Sequence, residues 1–383
     1  MDDLTRERLA RIALAQTREP GDLWLTRSVS QIGAVDLYDH LSSGRTRTGT
    51  AAQVAAKLAE VDPERELDRT ERLGLRFVVP GDGEWPVQVD DLAHAEAVDT
   101  RGGAPVGLWV RGPRRLDDLG RSVAIVGSRS ATTYGCDVAA EIAAGCGTEG
   151  WTVISGGAIG IDVAAHRGAL AVGAGTVAVL ACGADRVYPL AHEQLIDHIA
   201  DEGVVVSETI PGGAPLKARF LSRNRLISAL SRGTVVVEAA IRSGALNSAT
   251  WAARLNRPLM GVPGSVTSAV SQGVHELVRT GQATLVTTGR DVLEVVGELG
   301  EHGGPSPRAP ERSFDRLTPR QRQVLEAVPS RTPAPADSIA RTAGVGLDHA
   351  EQALDELSRG GLVTAAGQGW LLARHPEEAA LDI

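Results

Sequence analysis

The chain has 383 residues, which on length alone allows two or three domains, and 39 Lys+Arg against 48 Asp+Glu leave it with a net charge of −9. That balance argues against a protein that coats nucleic acid indiscriminately, while leaving room for a local basic groove. Aromatics are only 3 % of the residues, so the core must be built from Ala, Val, Leu and Ile around 44 glycines.

Residues 1–72 read as helical. Leu4, Leu9, Ile12 and Leu14, then Val54, Leu58 and Val61, recur at helical spacing, and Pro20-Gly21 and Ser42-Ser43-Gly44 punctuate them. A small helical domain of the helix-hairpin-helix or sterile-alpha-motif kind is expected there. The start, MDDLTRERLARIAL, is charged and lacks an apolar leader, and no run approaches the ~18 apolar residues of a membrane span, so a cytoplasmic protein is expected. The three cysteines, Cys136, Cys146 and Cys182, show no CxxC spacing and point to no metal or disulfide. Residues 73–120 hold short extended runs broken by Pro and Gly, which predicts a two-stranded connector with Trp85 and Trp109 as core anchors.

From 121 to 298 the pattern turns regular. Apolar runs of strand length, such as VAIVG (123–127), WTVIS (151–155), TVAVLAC (176–182), VVVS (204–207) and TVVVEA (234–239), alternate with helical segments. Continuous Val/Ile strands separated by helices predict an α/β fold, a doubly wound, extended Rossmann-like parallel sheet covered on both faces. Residues 299–313 read as a Gly/Pro-rich linker. In 314–375, three helical stretches followed by a strand, a Gly turn and a strand give the pattern of a winged-helix domain.

Open parallel sheets bind ligands at the carboxyl ends of their strands, so the residues just after each strand matter most. Gly127-Ser128-Arg129 follows the first strand of this sheet and Ser155-Gly156-Gly157 closes the second. Turns of this kind expose backbone N–H groups at a helix N-terminus, where an anion is favoured. Arg129 adds a planar fork that matches phosphate. The segment 217–249 is strongly basic within an acidic chain, with Lys217, Arg219, Arg223, Arg225, Arg232 and Arg242 against Glu238. Lys217 is one of two lysines and Phe220 one of three phenylalanines. A basic groove with an aromatic platform is the minimal device for holding single-stranded nucleic acid. Arg242, Ser243 and Gly244 begin a further anion-facing turn. GSRSAT is not GxGxxG, no GxxxxGK[ST] occurs, and Ser128 lacks a GxSxG setting, so no nicotinamide, flavin or P-loop nucleotide cofactor is expected. His166, His192 and His198 form no metal spacing and read as helix-surface residues. Asp162 reads as a turn-packing residue rather than a base. No complete catalytic set emerges, which favours a binding protein over an enzyme.

VAIVGSR (123–129), SGGAIGID (155–162), VLACGADRVYP (179–189), Ser207-Glu208, FLSRNRLISALS (220–231), VVVEAAIRSGALNSA (235–249) and GVPG (261–264), in this order, resemble the DNA-processing protein A (DprA, also Smf) family. The chain departs from that pattern at Ala229, Asn247, His275, Gln282 and Ala283. The resemblance implies a non-enzymatic single-stranded DNA-binding protein of the bacterial cytoplasm. Such proteins protect incoming DNA in natural transformation, help displace single-strand-binding protein, load the RecA recombinase, and form homodimers through the Rossmann-like domain. It implies a phosphate grip made of Gly127, Ser128, Arg129, Ser155, Gly156, Lys217 and Phe220, with Arg223, Asn224 and Arg225 following. An alternative in another class is a nucleotide phosphoribohydrolase-like enzyme on the same Rossmann variant, but its PGGxGTxxE motif stands here as EAAIRSGALNSA, without the general acid/base. The third helix of the winged-helix pattern, Leu347–Arg359, where a recognition helix would lie, carries Asp348, Glu351, Asp355 and Glu356 against Arg359, so it reads as a protein-contact module rather than a duplex reader.

Overall fold

The structure, a computed structural model, describes residues 2–45, 48–298, 301 and 313–373. These residues fall into two compact units, one before residue 304 and one after. The expected linker (299–313), apart from residues 301 and 313, lies outside the described residues, as do positions 374–375 of the expected winged helix.

The first unit opens with α1 (Asp3–Ala15), α2 (Leu23–Ile32), α3 (Ala34–Ser42), α4 (Gly49–Leu58) and α5 (Pro63–Arg72). Aspartates set three of the helix starts. Asp2, Asp22 and Asp62 accept from the N–H groups of Thr5, Leu25 and Arg65, and Pro63 opens α5, where its missing N–H costs nothing. Next come β1 (Arg76–Val78) and β2 (Leu108–Arg111), then β3 (Ser122–Val126), α6 (Thr133–Thr148), β4 (Thr152–Ser155), α7 (Ile161–Ala171), β5 (Thr176–Leu180), α8 (Glu193–Glu202) and β6 (Val204–Ser207). The unit closes with α9 (Lys217–Leu230), β7 (Gly233–Val236), α10 (Ala245–Arg254), β8 (Leu259–Gly261), α11 (Gln272–Arg279), β9 (Thr284–Leu285) and α12 (Gly289–Val296).

The sheet runs β1-β2-β6-β5-β4-β3-β7-β8-β9. From β6 to β9 every neighbouring pair is parallel, so the doubly wound α/β sheet expected from the Val/Ile runs is present. All five residues of β3 are buried, because helices cover both faces. The chain winds outward from β3 through β4 and β5 to β6, then returns through α9 to place β7 on the other side of β3. The topological switch point therefore lies between β3 and β7, and α9 is the crossover that makes it.

The expected two-stranded connector is part of this sheet rather than an attachment to it. β1 pairs antiparallel with β2, and β2 pairs antiparallel with β6 through Trp109 opposite Ser207. Phe77 and Trp109 face each other across β1 and β2 with ring centroids 4.6 Å apart. The N-terminal helices join the same core, for Ile12 of α1 packs in one cluster with Phe77, Trp109, Leu180 and Val205.

His166 corrects the sequence reading. It is fully buried, with Nδ1 2.7 Å from Thr176 Oγ1, and burial pushes its pKa down to about 3. The reason is that α7 is packed between α6 and the strands, so most of its side chains are covered. His198 is exposed, and His192 sits half-buried with Nδ1 3.1 Å from the Gly157 carbonyl. Of the departures from the family pattern, His275 places Nε2 3.1 Å from the Gly264 carbonyl and thereby closes the loop ahead of its helix.

The second unit holds α13 (Pro319–Ala327), α14 (Ala336–Ala343) and α15 (Leu347–Arg359), followed by the antiparallel pair β10 (Val363–Ala366) and β11 (Gly369–Leu372). Its own core includes Val324, Leu325, Ile339, Leu354, Leu357 and Val363. Asp348, Glu351 and Asp355 of α15 are exposed, while Glu356 is half-buried and accepts from Gln321 (2.7 Å) and Gln352 (3.2 Å).

Candidate nucleic-acid interface

At the switch point the strand ends enclose a groove of about 700 Å³. One wall is the loop after β3, Gly127 to Ser130; the second is one face of α9; the third is the start of α10. Beside it lies a slot of about 80 Å³ that includes Gly156, Tyr188 and Phe220.

The loops are held by each other. The Ser128 N–H donates to the Glu238 carbonyl (2.7 Å), and the Ile161 N–H donates to the Ser128 carbonyl (3.3 Å). Gly160 has φ +87°, and a Cβ there would lie 2.4 Å from the Ser128 carbonyl oxygen, so only glycine fits between the two loops. Gly156 is needed for a different reason: a Cβ on it would lie 1.3 Å from Nη1 of Arg223. The guanidinium of α9 thus passes directly over the turn after β4.

The helix α9 has two polar faces, and they do different things. On the back face, Arg219 makes two bonds to Glu19 (2.6 and 2.8 Å), Ser222 Oγ donates to the Pro20 carbonyl (2.7 Å), and Arg225 donates to Glu208 (2.7 Å). The hydrogen bond from Arg219 is the main reason that the Glu19 carboxyl sits below its usual range. On the groove face stand Lys217, Phe220, Arg223 and Asn224. Helical spacing explains the division: 219, 222 and 225 recur every three residues on one side, and 217, 220, 224 fall on another. Lys217 is exposed and has no hydrogen-bond or ion-pair partner among the described residues. Arg129 is likewise exposed, with its guanidinium 4.6 Å over the Phe220 ring, and Tyr188 meets the same ring edge-on at 6.0 Å.

Arg223 is almost wholly buried. Its Nη1 donates to the Val179 carbonyl (3.0 Å) and lies 4.0 Å from Asp162, while Nε has no partner. Burial pulls the Arg223 pKa down against the attraction of Asp162, and burial pushes the Asp162 pKa up against the attraction of Arg223. Both shifts are those of a buried pair whose members, at 4.0 Å, stand too far apart for a direct hydrogen bond. Asp162 also accepts from the Ala158 N–H (3.3 Å), which holds the turn after β4. The N-cap of α9, Leu216, provides no side-chain hydrogen bond, so the start of α9 is open beside the groove, whereas at α10 the Ser243 hydroxyl accepts from the Ala245 N–H (3.3 Å).

Of the residues singled out in the sequence, Gly127, Ser128, Arg129, Lys217, Phe220, Arg223, Asn224, Ser243 and Gly244 line the groove, and Gly156 lines the neighbouring slot. Ser155 is buried behind them, donating to the Ile125 carbonyl (2.6 Å). Arg225 is fully buried on the back of α9 and does not face the groove. Arg242 is exposed beside the groove but does not line it. Tyr188, Ser130, Ser248 and Val270 line the groove without having been singled out as site residues. Tyr188 lies in the Gly-containing turn after β5, with Gly183, Asp185 and Pro189, one of the strand-end turns the sequence marks out; Val270 carries no local signal. Glu238, which opens EAAIRSGALNSA, is buried and accepts from the N–H and hydroxyl of Thr132 (2.9 and 2.6 Å) at the start of α6. Among the described residues no group of three or more His, Cys, Asp or Glu could hold a metal ion.

Fold and groove together define a Rossmann-like protein whose switch point has the charge and shape to hold phosphate. The family model described as DNA recombination-mediator protein A matches residues 76–297, and the chain belongs to that family. It is 44 % identical over 336 residues to a Mycobacterium tuberculosis protein named DNA processing protein DprA, covering 87 % of this chain and 86 % of the relative. The X-ray structure of DNA processing protein A from Streptococcus pneumoniae is similar at TM-score 0.62 and 30 % identity, over 75 % of this chain and 96 % of that one. DNA processing protein A from Helicobacter pylori, whose structure is described as giving insight into its unique single-stranded DNA binding mode, is similar at TM-score 0.50 and 29 % identity, over 57 % of this chain and 94 % of that one.

Proposed function

We propose that this protein binds single-stranded DNA in the switch-point groove, without catalysing a reaction on it. The observation that carries the reading is the meeting of Arg129 and Arg223 over the ring of Phe220, 4.6 and 5.9 Å from its centroid, with exposed Lys217 in the same open groove. Phosphates are held by the three cations and the open start of α9, and a base stacks on Phe220. Arg129 now covers a face of that ring, so an incoming strand draws it off towards phosphate as the base takes its place. Stacking contributes roughly 1–3 kcal/mol per base and tolerates any sequence.

In the cell, the bound strand is protected and passed to a RecA-type recombinase, with single-strand-binding protein displaced, in transformation or recombination. A homodimer joined through the Rossmann-like unit offers two grooves and gains affinity on long strands by multivalency. A cytoplasmic location follows from these partners, and among the described residues no helix is long and apolar enough to cross a membrane. The acidic outer face of α15 suits a protein partner, since exposed Asp348, Glu351 and Asp355 repel a phosphate backbone.

The test is fluorescence anisotropy of labelled single- and double-stranded oligonucleotides across a salt series. Wild type is expected to prefer the single strand, with affinity falling at a log–log slope of about −0.7 per phosphate neutralised. Lys217→Glu and Arg129→Glu abolish binding while leaving the circular dichroism spectrum and melting temperature unchanged. Affinity that stays within a few-fold of wild type in both variants places the site elsewhere.

A further inference from the structure

Asn224 stands in the groove with its amide orientation fixed from outside. Its Nδ2 donates to the Gly244 carbonyl (3.4 Å) and to Asn247 Oδ1 (3.3 Å). A carbonyl can only accept, so the Gly244 contact requires the nitrogen of Asn224 on that side. Asn247 is oriented in turn, because its Nδ2 donates to Asp99 Oδ2 (3.0 Å) and a carboxylate only accepts. Asp99 sits in a turn where it and Thr100 both have positive φ, +49° and +63°, a backbone arrangement that non-glycine residues adopt only when their surroundings hold them there. Both amide hydrogens of Asn224 are therefore engaged by the protein itself. Its Oδ1 has no partner among the described residues and is not sealed from solvent, although the residue is only 8 % exposed and lines the groove.

We propose that Asn224 takes no phosphate and instead reads the edge of a base, Oδ1 accepting an N–H such as thymine N3–H or guanine N1–H. A phosphate oxygen brought to this point meets a lone pair, whereas Arg129, Lys217 and Arg223 nearby offer donors for it. In a duplex those base hydrogens are already engaged in pairing, so the same oxygen would be left unsatisfied, which costs more than an absent bond gains. Asn224 is thus a determinant of preference for an unpaired strand, and Asp99 and Asn247 are its positioning residues. This inference rests on the groove binding single-stranded DNA and adds the chemistry of what is read there.

The experiment compares three fluorescent oligonucleotides on the full-length protein: oligothymidine, the same length of N3-methylthymidine, and an abasic strand of equal length. Wild type is expected to bind the methylated strand roughly three- to tenfold more weakly than oligothymidine, the worth of one hydrogen bond. Asn224→Leu keeps the approximate side-chain shape and drops the acceptor along with the two Nδ2 donations, and it is expected to bind the two thymidine strands equally. Asp99→Ala lies on the exposed rim, frees Asn247 to turn over, and lowers the discrimination without changing abasic affinity. Equal binding of both thymidine strands by wild type overturns the inference, as does a wild-type ratio in Asn224→Leu or in Asp99→Ala. Should Asn224→Leu lose its circular dichroism spectrum, Asp99→Ala decides. Failure of wild type to bind any strand, or binding that survives Lys217→Glu, instead refutes the groove as the DNA site.

Discussion

Arg223 and Arg225 are two residues apart in one Arg-Asn-Arg triplet, yet substituting them separates support from contact. Arg225→Ala leaves the Glu208 carboxylate without its 2.7 Å partner, at a place where the arginine side chain is 0 % and the glutamate 8 % exposed. Removing one member of a buried ion pair costs about 3–5 kcal/mol, because the remaining charge stays out of water. With each kcal/mol worth about 2–4 °C of Tm in a large domain, a drop on the order of 10 °C is expected. The pair is itself imperfectly satisfied, since Glu208 Oε2 and Arg225 Nε and Nη1 find no partner. Replacing both residues by leucine therefore costs less than Arg225→Ala alone. Thermal melting and urea unfolding measure the stability, and anisotropy with oligothymidine well below the melting range measures the grip, which Arg225→Ala leaves unchanged. An unchanged Tm together with a loss of affinity greater than about tenfold, 1.4 kcal/mol, would refute the division of α9 into a supporting face and a binding face.

Gly156→Ala drives a methyl into the space of the Arg223 guanidinium, so the arginine must leave the Val179 carbonyl and the groove. Single-strand affinity falls and the salt slope becomes shallower by about 0.7, one phosphate contact, in a titration against sodium chloride. His166 makes the fold acid-sensitive. Its folded-state pKa is depressed from 6.5 to about 3, so the unfolded chain takes up a proton first. Stability is complete above about pH 6.5 and is lost as the pH falls towards 3, by on the order of 4–5 kcal/mol at full extent. Denaturant unfolding at pH 7 and pH 4.5 checks this; His166→Gln, which has no such titration, loses less between the two.

The sheet was legible because Val/Ile runs buried on both faces leave few alternatives, and the switch-point loops were legible because they must follow strands. What was not legible depended on partners far away in sequence. Nothing local distinguishes Arg223 from Arg225; the distinction is made by Glu208 and by the loop at Glu19 to Gly21, which closes over the back of α9. His166 looked like a surface residue because its neighbours in sequence are small or polar, and only the packing of α6 across α7 buries it. Residues 73–120 looked like a connector because their strands are short; their place at the sheet edge is set by pairing of Trp109 with Ser207, almost a hundred positions on. Asp99 gave no signal, and Asn247 stood out only as a departure from the family pattern, since each acts only through the other and through Asn224.

The clasp between α9 and the loop at Glu19 to Gly21 bears on how this chain can change over time. Residue 72 looks like a place to cut, yet cutting there would strip Arg219, Ser222 and Arg225 of the carboxylate, carbonyl and close cover that they now have. The first helices are thus half of a two-part mould in which the grip is cast. A change of sign at Glu19 is tolerable only alongside a change at Arg219, so the two positions are expected to co-vary among descendants of this sequence, although neither touches the groove.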